Sequence, residues 1–85
     1  MQGKTKSGFE FEVDAKQLDN YELLEDLADM ADGQDGKIVS VIKKLLGEEQ
    51  KERLKNHLRD EEGRVPASAM TKEIMEIFEA LKAKN

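Results

Sequence analysis

The stretch that organises the fold is IVSVIKKLLG, which occupies residues 38–47. At about 100° of rotation per residue, its apolar side chains cover about 160° of a helical wheel, and polar side chains fill the remainder. A helix with so wide an apolar face needs cover on several sides. We therefore predict a helix at about residues 37–46 that is the most buried element, with the rest of the chain packed around it.

A second helix is predicted upstream, at about residues 20–32. Asp19 is placed to cap its first turn, and Glu22, three residues later, would complete a capping box. An inward apolar stripe follows at helical spacing and comprises Leu23, Leu24, Leu27, Met30 and Ala31. Gly33 should end the helix, because glycine readily adopts the backbone conformation that follows a helix C-terminus.

A third helix is predicted at about residues 48–60, after Gly47 interrupts the pattern. Glu48 and Glu49 place negative charge where the helix dipole favours it. The only strong apolar anchors of this helix are Leu54 and Leu58, so we expect it to lie at the surface.

The first residues follow a different period. Phe9, Phe11 and Val13 alternate with acidic residues, which is typical of a strand with one buried face. Ser7 and Gly8 form a turn signal before this run. These features predict a β-hairpin at about residues 2–13.

The last helix is predicted at about residues 66–83, because Pro66 fits a first helical turn. Its inward stripe comprises Met70, Ile74, Ile77, Phe78 and Leu81, with Met75 on the flank. The predicted fold class is therefore α+β: an N-terminal β-hairpin followed by about four α-helices in one small domain, residues 1–85.

Composition limits the kind of protein this can be. The 85 residues are 38% hydrophobic, 39% charged and 5% aromatic, so the core is aliphatic and thin, and association with a partner would add burial. The absence of cysteine excludes disulfides and thiolate metal sites. No apolar run approaches the roughly 20 residues of a membrane span, and no signal peptide fits the N-terminus. We expect a cytoplasmic protein with no membrane partner.

The net charge of −5 is unevenly distributed. Residues 10–35 hold ten acids and one base, residues 37–59 hold seven bases and three acids, and residues 60–85 hold six acids and four bases. Such separation could favour head-to-tail self-association or a polar partner surface. The plainer alternative is a set of solvated helix faces of alternating sign.

The sequence contains no recognisable catalytic or metal-binding motif. His57 is the only imidazole, so a zinc site would need carboxylates for its other ligands. The acids Asp29, Asp32 and Asp35 do not have the spacing of an EF-hand loop. We expect no metal, no cofactor and no enzymatic activity, and we predict that His57 is a half-buried packing residue.

Two binding functions remain. The segment on either side of Gly47 resembles a helix-turn-helix whose second helix carries several cations, which would suit a small regulatory or nucleic-acid-binding module. Acids in the first turn of that helix and the acidic net charge argue against it. Protein binding fits better, because methionines on the last helix offer adaptable apolar contacts. We assign partner binding to that helix, at Met70, Ile74, Met75, Phe78 and Leu81.

Three segments carry a family resemblance: KSGFEFEVD at residues 6–14, LLGEEQ at residues 45–50 and AMTKEIMEI at residues 69–77. The chain resembles the small tail assembly chaperones of long-tailed bacteriophages and of Gram-positive prophages. The resemblance implies a protein of the host cytoplasm that coats the tape measure protein and helps tail tube subunits polymerise around it. It also implies self-association and absence from the mature virion. The regulatory or nucleic-acid-binding module remains the alternative.

Overall fold

The computed structural model describes residues 1–83 and has an N-terminal hairpin followed by helices. Strands β1 (Gln2–Lys4) and β2 (Glu10–Glu12) precede helices α1 (Ala15–Leu18), α2 (Tyr21–Ala31), α3 (Ile38–Leu58) and α4 (Ala67–Ala83). A short 3₁₀ turn, Asp35–Lys37, leads into α3. The predicted α+β class is confirmed.

Helix α3 supplies the centre of the core. Its buried residues are Val41, Ile42, Leu45, Leu46 and Leu54. It packs against α1, α2, α4 and β2, which explains why its apolar face is so wide. On the apolar face predicted for residues 38–46, four residues are buried and Ile38 is half-buried, whereas Val39 is 69% exposed.

Gly47 bends α3 into two segments. Its backbone angles, φ 79° and ψ 171°, are non-helical and lie in a region that is open almost only to glycine. The sequence prediction of two helices that meet at Gly47 is therefore right about the break, although the two segments follow each other with no intervening loop. The second segment, predicted to lie at the surface, contributes to the core, because Leu54 is fully buried.

The hairpin is antiparallel and pairs Gly3 with Phe11. Phe9, Phe11 and Val13 are buried, as their alternation predicts. Gly3 is required here, because a Cβ at this position would lie 2.5 Å from Cζ of Phe11. Backbone pairing continues past the strands, since Val13 N donates to Met1 O at 2.8 Å. The inner face of the hairpin thus completes the core.

The connection between β2 and α2 differs from the prediction. Helix α1 was not expected, and it begins with a capping box in which Asp14 and Gln17 bind each other's backbone amides. Asp19 ends α1, because its N–H donates to Ala15 O. The N-cap of α2 is therefore Asn20, whose Oδ1 accepts from Glu22 N at 3.0 Å, and the predicted capping box at Asp19 is wrong.

Helix α4 closes the other side of the core with Ile74, Ile77 and Leu81. It also contacts α3 and β1. Within residues 1–83, no helix has the length and apolar character needed to cross a membrane.

The bend at Gly47 can be tested with Gly47→Ala. No neighbouring atom lies within 4 Å of a Cβ built there, so backbone strain alone should destabilise the fold by about 1 to 3 kcal/mol. Gly36→Ala is the matched control, because Gly36 is equally open and its φ is not positive. In urea unfolding, Gly47→Ala should have a lower midpoint than the native chain, and Gly36→Ala should have nearly the same midpoint. Equal midpoints for the two variants would contradict the role given to Gly47.

Candidate partner-binding surfaces

The five predicted partner-binding residues of α4 divide between core and surface. Ile74 and Leu81 are 1% and 3% exposed and pack in the core, so they cannot contact a partner of the folded chain. Met70 and Phe78 are half-buried at its edge. Met75 is 53% exposed. This corrects the predicted set: only Met70, Met75 and Phe78 present surface, and they present it at different places.

Phe78 lines an apolar groove of about 300 Å³ between α4 and the α1–α2 region. We call it the α2 groove. The other residues that line it are Leu18, Asp19, Asn20, Tyr21, Leu23, Leu24 and Leu27. Tyr21 and Leu24 are 73% and 61% exposed, although the sequence placed Leu24 on the inward stripe. The α2 groove therefore has two large apolar side chains that the fold itself does not bury.

Met70 lines a second groove, of about 240 Å³, which we call the α3 groove. Val39, Ile42, Lys51 and Lys55 complete its lining. Val39 is its most exposed apolar residue, and the bend at Gly47 brings the lysines of the second α3 segment beside it. The two grooves share no lining residue.

The α2 groove has an acidic rim. Asp19 lines it, and Glu22 and Glu25 are exposed on the first turns of α2 beside Tyr21 and Leu24. The next acid on α2, Asp26, points the other way and is buried to 6% exposure against α3. The acids at the rim are therefore the ones that the fold leaves facing solvent.

Asp26 is neutralised within the fold. Lys44 Nζ donates to its Oδ2 at 2.7 Å, and Lys37 Nζ lies 4.0 Å from Oδ1. The hydrogen bond from Lys44, followed by one from Ser40, lowers the pKa of Asp26, while partial burial opposes the shift. The same hydrogen bond raises the pKa of Lys44. This pair joins α2 to α3.

The rim of the α3 groove carries a positive excess. Lys51 Nζ lies 2.9 Å from Glu48, and this hydrogen bond raises the pKa of Lys51 and lowers the pKa of Glu48. Lys55 Nζ lies 3.2 Å from Glu52. Lys43, one turn after Val39, is 3.8 Å from the same Glu48. Three lysines thus share two glutamates.

Ser7, His57 and Glu73 form a polar cluster at the hairpin turn. His57 Nε2 lies 3.0 Å from Ser7 Oγ and 3.1 Å from Ser7 O, and Ser7 Oγ also donates to Glu73 Oε1. The serine therefore lies between the imidazole and the carboxylate, whereas activation of a serine nucleophile places the imidazole between the other two. The cluster holds the turn against α3 and α4. Thr5 adds a hydrogen bond to Glu73 at 3.3 Å.

His57 is exposed, which corrects the prediction of a half-buried packing residue. Its ring centroid lies 5.7 Å from that of Phe9, with the two rings tilted by 49°. It therefore contributes to packing from the outside. Within residues 1–83, no group of three or more acidic or histidine side chains is arranged to hold a metal ion.

The cations expected on a nucleic-acid-binding helix are engaged within the chain. In addition to the pairs of Lys51 and Lys55, Arg53 lies over the ring of Phe9, with its Cζ 5.0 Å from the ring centroid. Arg59 donates to Gly63 O at 2.7 Å. The lysines are thus paired with glutamates and the arginines are held against their own chain, which weakens the case for a phosphate-binding face.

Comparison with known proteins gives no match: no family model, no curated protein and no solved structure is significantly similar to this chain. The grooves and their rims are therefore interpreted from their own geometry and charge.

The pair formed by Asp26 and Lys44 predicts a pH dependence of stability. Because the folded-state pKa of Asp26 is lowered, its contribution is present above the unfolded pKa of about 3.9 and is lost as pH falls through the folded value. Asp26→Asn should lower the melting temperature at neutral pH. It should also reduce the further drop that the native chain shows between about pH 7 and about pH 3.

Glu49→Gln is the control for this prediction, because it neutralises an exposed acid of α3. Its melting curve should follow that of the native chain at both pH values. An Asp26→Asn variant that loses as much stability on acidification as the native chain would show that another group causes the acid sensitivity.

Proposed function

We propose that this chain is a tail assembly chaperone of a long-tailed phage or prophage, a non-catalytic protein of the host cytoplasm. It binds the tape measure protein, assists assembly of the tail tube, associates with itself and is absent from the mature virion. The observation that carries the proposal is the set of large apolar side chains left exposed on its helices, namely Tyr21, Leu24, Val39 and Met75.

These side chains are not needed to complete the core. Buried residues from the hairpin, α2, α3 and α4 already form one continuous cluster. Exposed apolar area of this kind on a small soluble domain supports a role in protein binding. The α2 and α3 grooves beside these side chains are open and small, with room for single side chains of a partner. Grooves of this size suit contact with another protein surface.

The chemistry of a tape measure client fits this surface. A long helical client presents apolar stripes that must be covered before the tube surrounds it, and an apolar groove receives such a stripe through residues spaced one helical turn apart. Met75 is suited to this contact because methionine is flexible and adapts to different apolar shapes. The charged residues around it keep a coated client soluble.

The resemblance of residues 6–14, 45–50 and 69–77 to tail assembly chaperones supports the same proposal. The segment at residues 69–77 contains Met75 itself, and the segment at residues 45–50 contains the bend at Gly47. The resemblance therefore includes both the client-facing helix and the turn that shapes the domain.

Met75→Asp tests the client contact. Co-expression with the tape measure protein encoded in the same genome should give a complex, and the substitution should reduce recovery of that protein by about tenfold or more. The reason is that a charge replaces an apolar contact at an exposed position, so the fold itself should stay within about 0.5 kcal/mol of the native stability.

Asn56→Asp is the control, because it adds the same charge at an exposed position of α3 and keeps the oxygen that accepts from Arg59. It should leave recovery unchanged. A native chain that captures no tape measure protein would contradict the proposed function. Equal recovery of tape measure protein with Met75→Asp and Asn56→Asp would show that Met75 does not contact the client.

A further inference from the structure

We propose that the α2 groove of one copy binds the α3 groove of a second copy, so that the chain associates head to tail. The inference rests on the self-association included in the proposed function and does not depend on the client. It assigns an occupant to both grooves: each receives the exposed apolar residue of the other.

The first argument is apolar complementarity. Leu24 and Tyr21 are exposed side chains that line the α2 groove, and Val39 is an exposed side chain that lines the α3 groove. Each groove has room for one or two such side chains, with volumes of about 300 Å³ and about 240 Å³. Placed against each other, the two surfaces bury the apolar residues that both leave in solvent.

The second argument is charge. The α2 groove is bordered by Asp19, Glu22 and Glu25, whereas Lys51 and Lys55 line the α3 groove. Together with Lys43, these lysines pair with only two glutamates, Glu48 and Glu52, so the α3 groove keeps a net positive charge. A contact of either groove with its own copy would bring like charges together, and a contact between the two grooves brings opposite charges together. Electrostatics therefore favours the heterologous arrangement over a two-fold symmetric one.

The third argument is separation. Because the grooves share no lining residue, a copy bound through one groove keeps the other free. Met70 and Phe78, which α4 contributes to the two grooves, lie about 12 Å apart along the helix at 1.5 Å per residue. A heterologous contact of this kind continues into a ring or an open filament. That form of assembly suits a protein that coats an elongated partner.

The test uses the purified chain alone, in sedimentation velocity over a range of concentrations. The variants are Leu24→Asn, which impairs the α2 groove, and Val39→Asn, which impairs the α3 groove, without a change of charge. Ala28→Asn is the matched control, because Ala28 is also an exposed apolar residue of α2 and lines neither groove. Thermal unfolding of each variant verifies that it is folded.

The native chain and Ala28→Asn should form species larger than a dimer, and each groove variant alone should associate at least about tenfold more weakly. An equimolar mixture of the two groove variants should restore a dimer and stop there, because the mixture contains one intact pair of grooves. Association of the native chain should weaken as sodium chloride rises from about 50 mM to about 500 mM.

Three results would overturn the inference. The native chain could remain monomeric up to about 1 mM. One groove variant could associate as the native chain does, which would indicate a symmetric contact through the other groove. The mixture could remain monomeric. The client experiment is separate: head-to-tail assembly without capture of tape measure protein would remove the proposed client and leave this contact in place.

Discussion

The backbone bend at Gly47 is the constraint on which the rest of the structure depends. It directs the second segment of α3 towards the hairpin, where Leu54 enters the core. Gln50 then pairs with the outer edge of β2: its Oε1 accepts from Glu12 N at 2.7 Å, and its Nε2 donates to Glu12 O at 2.7 Å. At the far end of the segment, His57 holds the hairpin turn. A two-stranded sheet is only marginally stable by itself, and this segment supplies its support.

The sequence predicts the parts of the fold that follow from strong periodicity. The wide apolar face of residues 38–46, the alternation after Gly8 and the break at Gly47 each follow from local chemistry. Helix α1 could not be predicted in this way, because four residues are too few to show a helical period. The cap of α2 was missed for a related reason: Asp19 and Asn20 are both good caps, and only the end of α1 decides between them.

The candidate surface is less predictable, because exposure depends on what packs against a residue. Val39 and Leu46 are seven residues apart and so occupy nearly the same angle on the helix, yet Leu46 is buried and Val39 is 69% exposed. Leu46 lies beside Val13 and Ala15 of the hairpin and α1, whereas Val39 lies at the mouth of the α3 groove. Met75 is different: its angle places it beside the inward stripe of α4, and the sequence therefore identified it as a flank residue.

The separation of charge along the chain gains a spatial meaning from these contacts. Lys37 and Lys44, two of the first three bases after the acidic segment, contact Asp26 and hold α2 against α3. Lys37 also lies 3.5 Å from Asp29, so both lysines are balanced by acids of α2. Asp19, Glu22 and Glu25 lie on the rim of the α2 groove, and Lys51 and Lys55 line the α3 groove. The fold thus converts a gradient along the sequence into two surfaces of opposite sign, each beside apolar side chains that the core leaves uncovered.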